Sequence, residues 1–231
     1  MRMLSTQNQA QIAANNNADL CAAIMAANGL RTERNENAYI CIDDPLPYYP
    51  KMITLNPIAT DELNERAKGL SGVKDSFSCL DVDLVGMQVA FDATWIWSET
   101  KQQTMPAKWR RIENAHDLAK WHKAWGGDGS QTDTEIFTPE CLKDPNLAFF
   151  ARLSGMTMEA GCIANLSEAV VGMSNVFSAI SNDQSLFGDA LSAVSTVGIG
   201  RPVVGYERGA DLEAATSVGF QPIGSLRLLI R

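Results

Sequence analysis

Apolar positions follow two regimes along the chain. From Leu147 onward they come in short runs bounded by turn residues, whereas before it they are scattered among Ala, Asn and Gln or broken by proline. In the regular part, LAFFARL (147–153), EAGCIANL (159–166) and AVVGMSNVF (169–177) predict three strands, and the polar Ser167-Glu168 step joins the last two as a hairpin. Asp183 to Val197 reads as an amphipathic helix through Phe187, Ala190, Leu191 and Val194, stopped by Gly198 and Gly200. RPVVGYE (201–207) predicts a buried strand, Ala210 to Val218 a helix closed by Gly219, and QPIGSLRLLIR (221–231) a last strand. The order β-β-β-α-β-α-β places the chain in the α/β (mixed α+β) class, with helices flanking a sheet.

The irregular part carries weaker signals. A helix is expected from Asn17 or Asp19 to Ala27 through Leu20 and Ile24, with Gly29 as its stop. Residues 33–43 end in a strand-like run, after which Pro45, Pro47 and Pro50 forbid helix. Residues 52–55 read as a short strand, and Thr60 with Asp61 and Glu62 opens a helix that Gly69 closes. Lys74 to Leu80 and Val89 to Trp97 are the next expected strands. The polar segment 98–108 contains a proline and reads as a linker between an N-terminal half, 1–100, and a C-terminal half, 101–231. Beyond it, Trp109 to Ile112 is extended, and Asn114 caps a helix with Asp117 as its partner. Leu118, Trp121, His122 and Trp125 share one face of that helix, which suits core packing. Residues 126–133 form a glycine-rich loop, and Thr138-Pro139 starts a helical turn.

Composition narrows the function. The chain has 231 residues, 45% of them hydrophobic and 20% charged, which is ordinary for a globular protein. A net charge of −8 disfavours general nucleic-acid binding. No apolar run approaches the ~20 residues of a membrane span, and the N-terminus lacks a signal-peptide pattern, so a cytoplasmic location is expected. Cys21, Cys41, Cys79, Cys141 and Cys162 are too far apart for a C-x-x-C site and read as free thiols. His116 and His122 do not share a helical face, so no histidine metal site is expected. No G-x-S-x-G accompanies them to suggest a hydrolase.

The segment GIGRPVVGYERGADLEAATSVGFQPIGSLRLLI (198–230), with its Gly219-Phe220 step after a helix, resembles the ending of the GNAT superfamily of acyl-CoA N-acyltransferases. The hairpin EAGCIANLSEAVVGMSNVF (159–177) is similar to that family's third and fourth strands, and the likeness covers about 109–231. The first half repeats the theme loosely, with a helix at 60–69, Val85-Gly86-Met87 and the strand VAFDATWIW (89–97). The resemblance implies a twisted, mostly antiparallel sheet with one splayed parallel pair, in which the 201–207 strand runs parallel to 169–177 and the helix 183–197 crosses over between them. It also implies two degenerate GNAT-like modules, or one module with an elaborated N-terminal half. If the modules are copies, 60–97 is expected to match 210–231.

The function implied is N-acetyl transfer from acetyl-CoA or another acyl-CoA to an amine on a small molecule or protein. The resemblance places the pantetheine against the main chain of Gly172, Met173, Ser174, Asn175, Val176 and Phe177, with Asn182 in the turn that follows. Candidate groups for proton transfer are Glu159, Glu207 and Tyr206; the position where the family often carries a tyrosine is Ala215 here. The family's glycine-rich pyrophosphate loop is missing from 177–190, which has Gly188 alone and places Asp183 at the helix start. No Lys or Arg occurs between Leu153 and Gly200. CoA binding is therefore expected to be weak or absent. The alternative function is a catalytically silent GNAT-like binding module. The remaining expectation for partners is a homodimer.

Overall fold

Ala10, Ala13, Ala14 and Ala18 form a small-residue face that lets one long helix, α1 (Thr6–Ala27), lie directly on the sheet. A Cβ built at Gly224 would lie 3.2 Å from that of Ala10. The computed structural model describes residues 5–99, 103–127 and 134–231. α1 begins much earlier than the sequence suggests. Its first turns bury alanine, and its middle buries Asn16 and Asn17, so no contrast of apolar and polar faces marks them.

After α1 come β1 (Thr32–Arg34), β2 (Ala38–Cys41), β3 (Met52–Thr54), α2 (Asp61–Ala67), β4 (Gly72–Asp75), α3 (Val82–Val85) and β5 (Gln88–Ser98). The second part holds β6 (Trp109–Ile112), α4 (Ala115–Gly126), a 3₁₀ turn (Pro139–Lys143), β7 (Leu147–Ser154), β8 (Thr157–Leu166), β9 (Val171–Ser178), α5 (Leu186–Ser195), β10 (Val203–Glu207), α6 (Gly209–Ser217) and β11 (Gln221–Ile230). Thr60 and Asn114 cap α2 and α4 as expected, accepting from Leu63 N–H at 3.1 Å and Asp117 N–H at 2.9 Å. β4 stops at Asp75, short of the expected Leu80. The Asp75 carboxylate accepts from the backbone N–H groups of Cys79 (3.1 Å) and Leu80 (3.0 Å), folding them into a turn. α5 starts at Leu186 rather than Asp183, whose side chain turns back onto Ser178 and Ser185. Most of the loop expected at 126–133, and part of the segment 98–108, lie outside the described residues.

All eleven strands join one sheet in the order β1-β2-β3-β4-β11-β5-β10-β9-β8-β7-β6. Its adjacent pairs are antiparallel except for β3–β4 and β9–β10. The parallel β9–β10 pair, with α5 between its strands, matches the expected crossover: Val203 faces Val171 and Val204 faces Gly172. The centre interleaves the two ends of the chain. β11 lies between β4 and β5, and β5 lies between β11 and β10. By position the run α2-β4-α3-β5 echoes α5-β10-α6-β11, so α2 stands where α5 does and not where the expected match to α6 would put it.

Successive side chains of a strand point to opposite faces, and the core divides accordingly. Phe149 packs with α1 and α4, while its neighbour Phe150 packs with α5 and α6. Trp95 and Trp97 face α1, while Ile96 faces the other way. Met52, Val73 and Leu229 pack against α2 and α3. The sheet is thus covered on both faces, and α1 crosses both parallel pairs.

Candidate functional site

The β9–β10 ladder ends almost as soon as it starts. After Gly172 and Val204, β10 continues against β5 alone and β9 against β8 alone. A bulge in β9 helps the strands part. Gly161 faces Phe177 and Ile163 faces Ser174, so β9 carries an extra residue there, and Asn175 adopts φ 51°. Two glycines permit the close approaches around this point. A Cβ on Gly205 would lie 2.7 Å from the Met173 carbonyl oxygen. A Cβ on Gly172 would lie 2.0 Å from Asn165 Oδ1 and 2.2 Å from Asn16 Oδ1. Those two asparagines tie α1 to β8 reciprocally: Asn16 Nδ2 donates to Asn165 O (3.1 Å) and Asn165 Nδ2 to Asn16 O (2.8 Å).

The divergence opens into a cavity of about 260 Å³. α1 roofs it with Asn16, Asn17 and Leu20. Met173 to Val176 and Val204 to Glu207 form its strand walls, and Tyr48, Tyr49, Trp95 and Trp125 add aromatic surface. Trp95 is fixed by donating Nε1–H to Ser76 O at 2.7 Å and by an edge contact with Tyr206 at 5.4 Å between ring centroids. Tyr48 is exposed and meets Trp125 edge-on at 5.7 Å. Lys74 arrives from β4 and is 5% exposed. Its Nζ donates to Asn17 Oδ1 (2.7 Å) and to Tyr206 Oη (3.2 Å), and lies 4.4 Å from the Tyr206 ring centroid. Two other polar atoms in this lining, Tyr49 Oη and Ser174 Oγ, are buried without a hydrogen-bond partner among the described residues. Glu207 is pushed up to about 8, first by burial of its carboxyl and second by the charge of Asp211, with no hydrogen bond among the described residues to offset either.

The predicted site residues divide between two places. Gly172, Met173, Ser174, Asn175, Val176 and Tyr206 line the cavity. Phe177 turns its ring onto Trp121 at 5.2 Å, and Asn182 sits in the exposed turn after β9 with φ 56°. Glu159 lies outside the cavity lining, 4.0 Å from Arg152 Nε. Sequence reading did not single out Lys74, Tyr49 or the roof asparagines for this site. Each comes from the N-terminal part, and only the strand order brings them to β9 and β10.

Arg152 marks a second cluster, at the start of α5. It comes from β7 and is therefore invisible in the basic-free stretch 154–199. It pairs with Asp183, lies 3.7 Å from Asp189 and donates to Ser185 Oγ at 3.0 Å. Burial raises the Asp183 carboxyl, but hydrogen bonds from Arg152, Ser178 and Ser185 prevail and hold it below the usual range. Trp109 Nε1 closes the network onto Asp189 at 3.2 Å.

A CoA molecule laid out as the resemblance implies meets these two places differently. The part of β9 beyond its ladder with β10 suits an amide-bearing arm. The start of α5 does not suit the phosphates, because the Arg152 guanidinium beside it is already neutralised by Asp183 and Asp189. Among the described residues, no cluster of His, Cys, Asp and Glu could hold a metal ion, and no helix is long and apolar enough to cross a membrane.

No protein-family model matches the sequence, and no curated protein matches it either. Solved structures do. A GCN5-related N-acetyltransferase from Kribbella flavida aligns with a TM-score of 0.60 at 15% identity, covering 95% of each chain. A putative acetyltransferase from the GNAT family of Novosphingobium aromaticivorans aligns at 0.54 with 11% identity, over 91% of this chain and 96% of that one. A tandem GNAT protein from the clavulanic acid biosynthesis pathway aligns at 0.50 with 8% identity, over 99% and 96%. Identities this low speak for architecture rather than chemistry. With its mostly antiparallel sheet, splayed β9–β10 pair and flanking helices, the chain has the fold of the GCN5-related N-acetyltransferases.

Proposed function

We propose that this protein transfers an acyl group from a thioester to an amine inside the β9–β10 cavity. The observation that carries the reading is Glu207, an unpartnered carboxyl in the cavity wall with its pKa pushed up to about 8. A base tuned near neutral pH is what deprotonation of an attacking ammonium requires. The pantetheine arm of an acyl-CoA, held along Met173 to Phe177, supplies an activated acyl carbonyl. The chain supplies the rest. Glu207 takes the proton from the amine. Tyr206 Oη already accepts from Lys74, which leaves its own O–H to donate toward the departing sulfur. The aromatic walls exclude water and orient the amine. On this reading the chain is built of two halves, 1–100 and 101–231, whose last strands β5 and β11 are interleaved, and the site belongs to the second half with Lys74 lent by the first.

A second reading, a catalytically silent binding module, is favoured by the Asp183–Arg152 pair at the expected phosphate position. Release of free thiol from acetyl-pantetheine, followed in the presence of mixed primary amines, separates the two. Acyl transfer predicts release that rises with pH through about 8, as Glu207 loses its proton, and a loss of about 10²–10⁴-fold in Glu207→Gln. No release from the wild-type protein with any amine would favour the silent module. Equal rates in both proteins would remove Glu207 from the chemistry.

A further inference from the structure

Lys74 is an anomaly of electrostatics. Its ammonium has three donors, is 5% exposed, and among the described residues meets only neutral partners, Asn17 Oδ1 and Tyr206 Oη. Every ion pair found among the described residues lies elsewhere. The other buried cation, Arg152, has an aspartate, as does the half-buried Arg227. A buried charge without a counter-charge is costly, and this one stands in the lining of a cavity where two further polar atoms, Tyr49 Oη and Ser174 Oγ, are also unsatisfied. The charge on Lys74 would be met by a ligand bearing an anionic group with acceptor oxygens.

From this we infer that Lys74 anchors the carboxylate of a small amino acid with an apolar side chain, which is the acyl acceptor. The inference rests on the acyl-transfer reading for its amine, but not for its carboxylate. At about 260 Å³ the cavity lies just below the roughly 300–1,000 Å³ of ordinary ligand pockets, so the occupant is small. Its walls of Tyr48, Tyr49, Trp95 and Trp125 suit an apolar or aromatic side chain. Lys74 and Glu207 line the same space, one to bind an anion and the other to receive a proton from an amine. A carboxylate on the acyl chain would have the same chemistry, and the choice of ligands distinguishes the two sources.

The test is calorimetry without any thioester, on the full chain, with three probes: L-phenylalanine, 2-phenylethylamine and succinate. The inference predicts that L-phenylalanine binds at least tenfold more tightly than 2-phenylethylamine, which lacks only the carboxylate. It predicts that Lys74→Met erases this difference while thermal unfolding shows the variant folded. Should Lys74→Met fail to fold, Lys74→Gln takes its place with the same expected loss of discrimination. Equal binding of the two amines by the wild-type protein would overturn the inference, as would discrimination that survives in the variant. Binding of succinate but not of L-phenylalanine would overturn the assignment to the acceptor. Carboxylate-dependent binding in a protein that releases no thiol would leave this site standing while the acyl-transfer reading fell.

Discussion

Two parallel strand pairs flank the central β11 and β5 strands, and they have taken opposite courses. Both begin with a two-rung ladder, Met52–Val73 and Ile53–Lys74 in one, Val203–Val171 and Val204–Gly172 in the other. Past the β3–β4 ladder, the strands are tied shut. Ser76 N–H donates to Thr54 Oγ1 at 2.8 Å, Gln11 of α1 donates to Leu55 O at 3.1 Å, and Leu55 packs with Ala18, Cys21 and Ile53. Asp75, fully buried at the end of β4, is held by Arg227 at 2.9 Å. Past the β9–β10 ladder no such ties are found among the described residues, and the space holds a cavity lined by residues with unsatisfied hydroxyls and a raised carboxyl. A splayed pair is a scaffold feature, and the residues beyond the last rung decide whether it becomes core or a site. The closed pair also serves the open one, because Lys74 of β4 reaches the cavity wall at Tyr206.

The largest effect is expected at the Arg152 cluster. Arg152 and Asp183 have side chains 8% and 9% exposed, so Arg152→Ala leaves a buried carboxylate without its cation. A loss of about 3–5 kcal/mol is expected in urea unfolding, and adding Asp183→Asn should recover part of it. Unchanged stability would mean that the pair is solvated and that the start of α5 is open to an anion after all.

A smaller effect sharpens the contrast between the pairs. Thr54→Val removes the acceptor that closes β3–β4 and should cost roughly 1–3 kcal/mol, the penalty of a stranded buried N–H, without altering ligand binding at β9–β10. Gly172→Ala puts a methyl group against Asn165 and Asn16. It should cost a similar roughly 1–3 kcal/mol by overpacking, but it should weaken ligand binding as well, since α1 roofs the cavity. If both substitutions changed affinity alike, the two pairs would not be functionally distinct.

Legibility in the sequence followed how local each signal was. The strands from Leu147 onward and the caps at Thr60 and Asn114 were readable because periodicity and turn chemistry act over a few residues, whereas the parallel β9–β10 crossover came through the resemblance to a known fold. The main chain of Gly172 to Val176 was reachable through the same resemblance, and Tyr206 through its place on the strand before α6. The first turns of α1 were not, because an alanine face packed on glycine carries no amphipathic contrast. Nor was the role of Arg152, which neutralises Asp183 from a strand 31 positions away. Lys74 meets Tyr206 across 132 positions. Its meaning depends on the interleaving of β5 and β11, which no window of sequence displays.

In the proposed function the β9–β10 divergence, and not the start of α5, holds the donor. Calorimetric titration of acetyl-pantetheine, which has no nucleotide, into the wild-type protein and Ser174→Leu tests it most directly. Leucine at 174 fills the cavity and removes an unsatisfied hydroxyl without touching Arg152 or Asp183. Measurable binding to the wild-type protein, within tenfold of that of acetyl-CoA, is expected, and none to a folded Ser174→Leu. Binding that survives Ser174→Leu, or that appears only with the nucleotide attached, would contradict it.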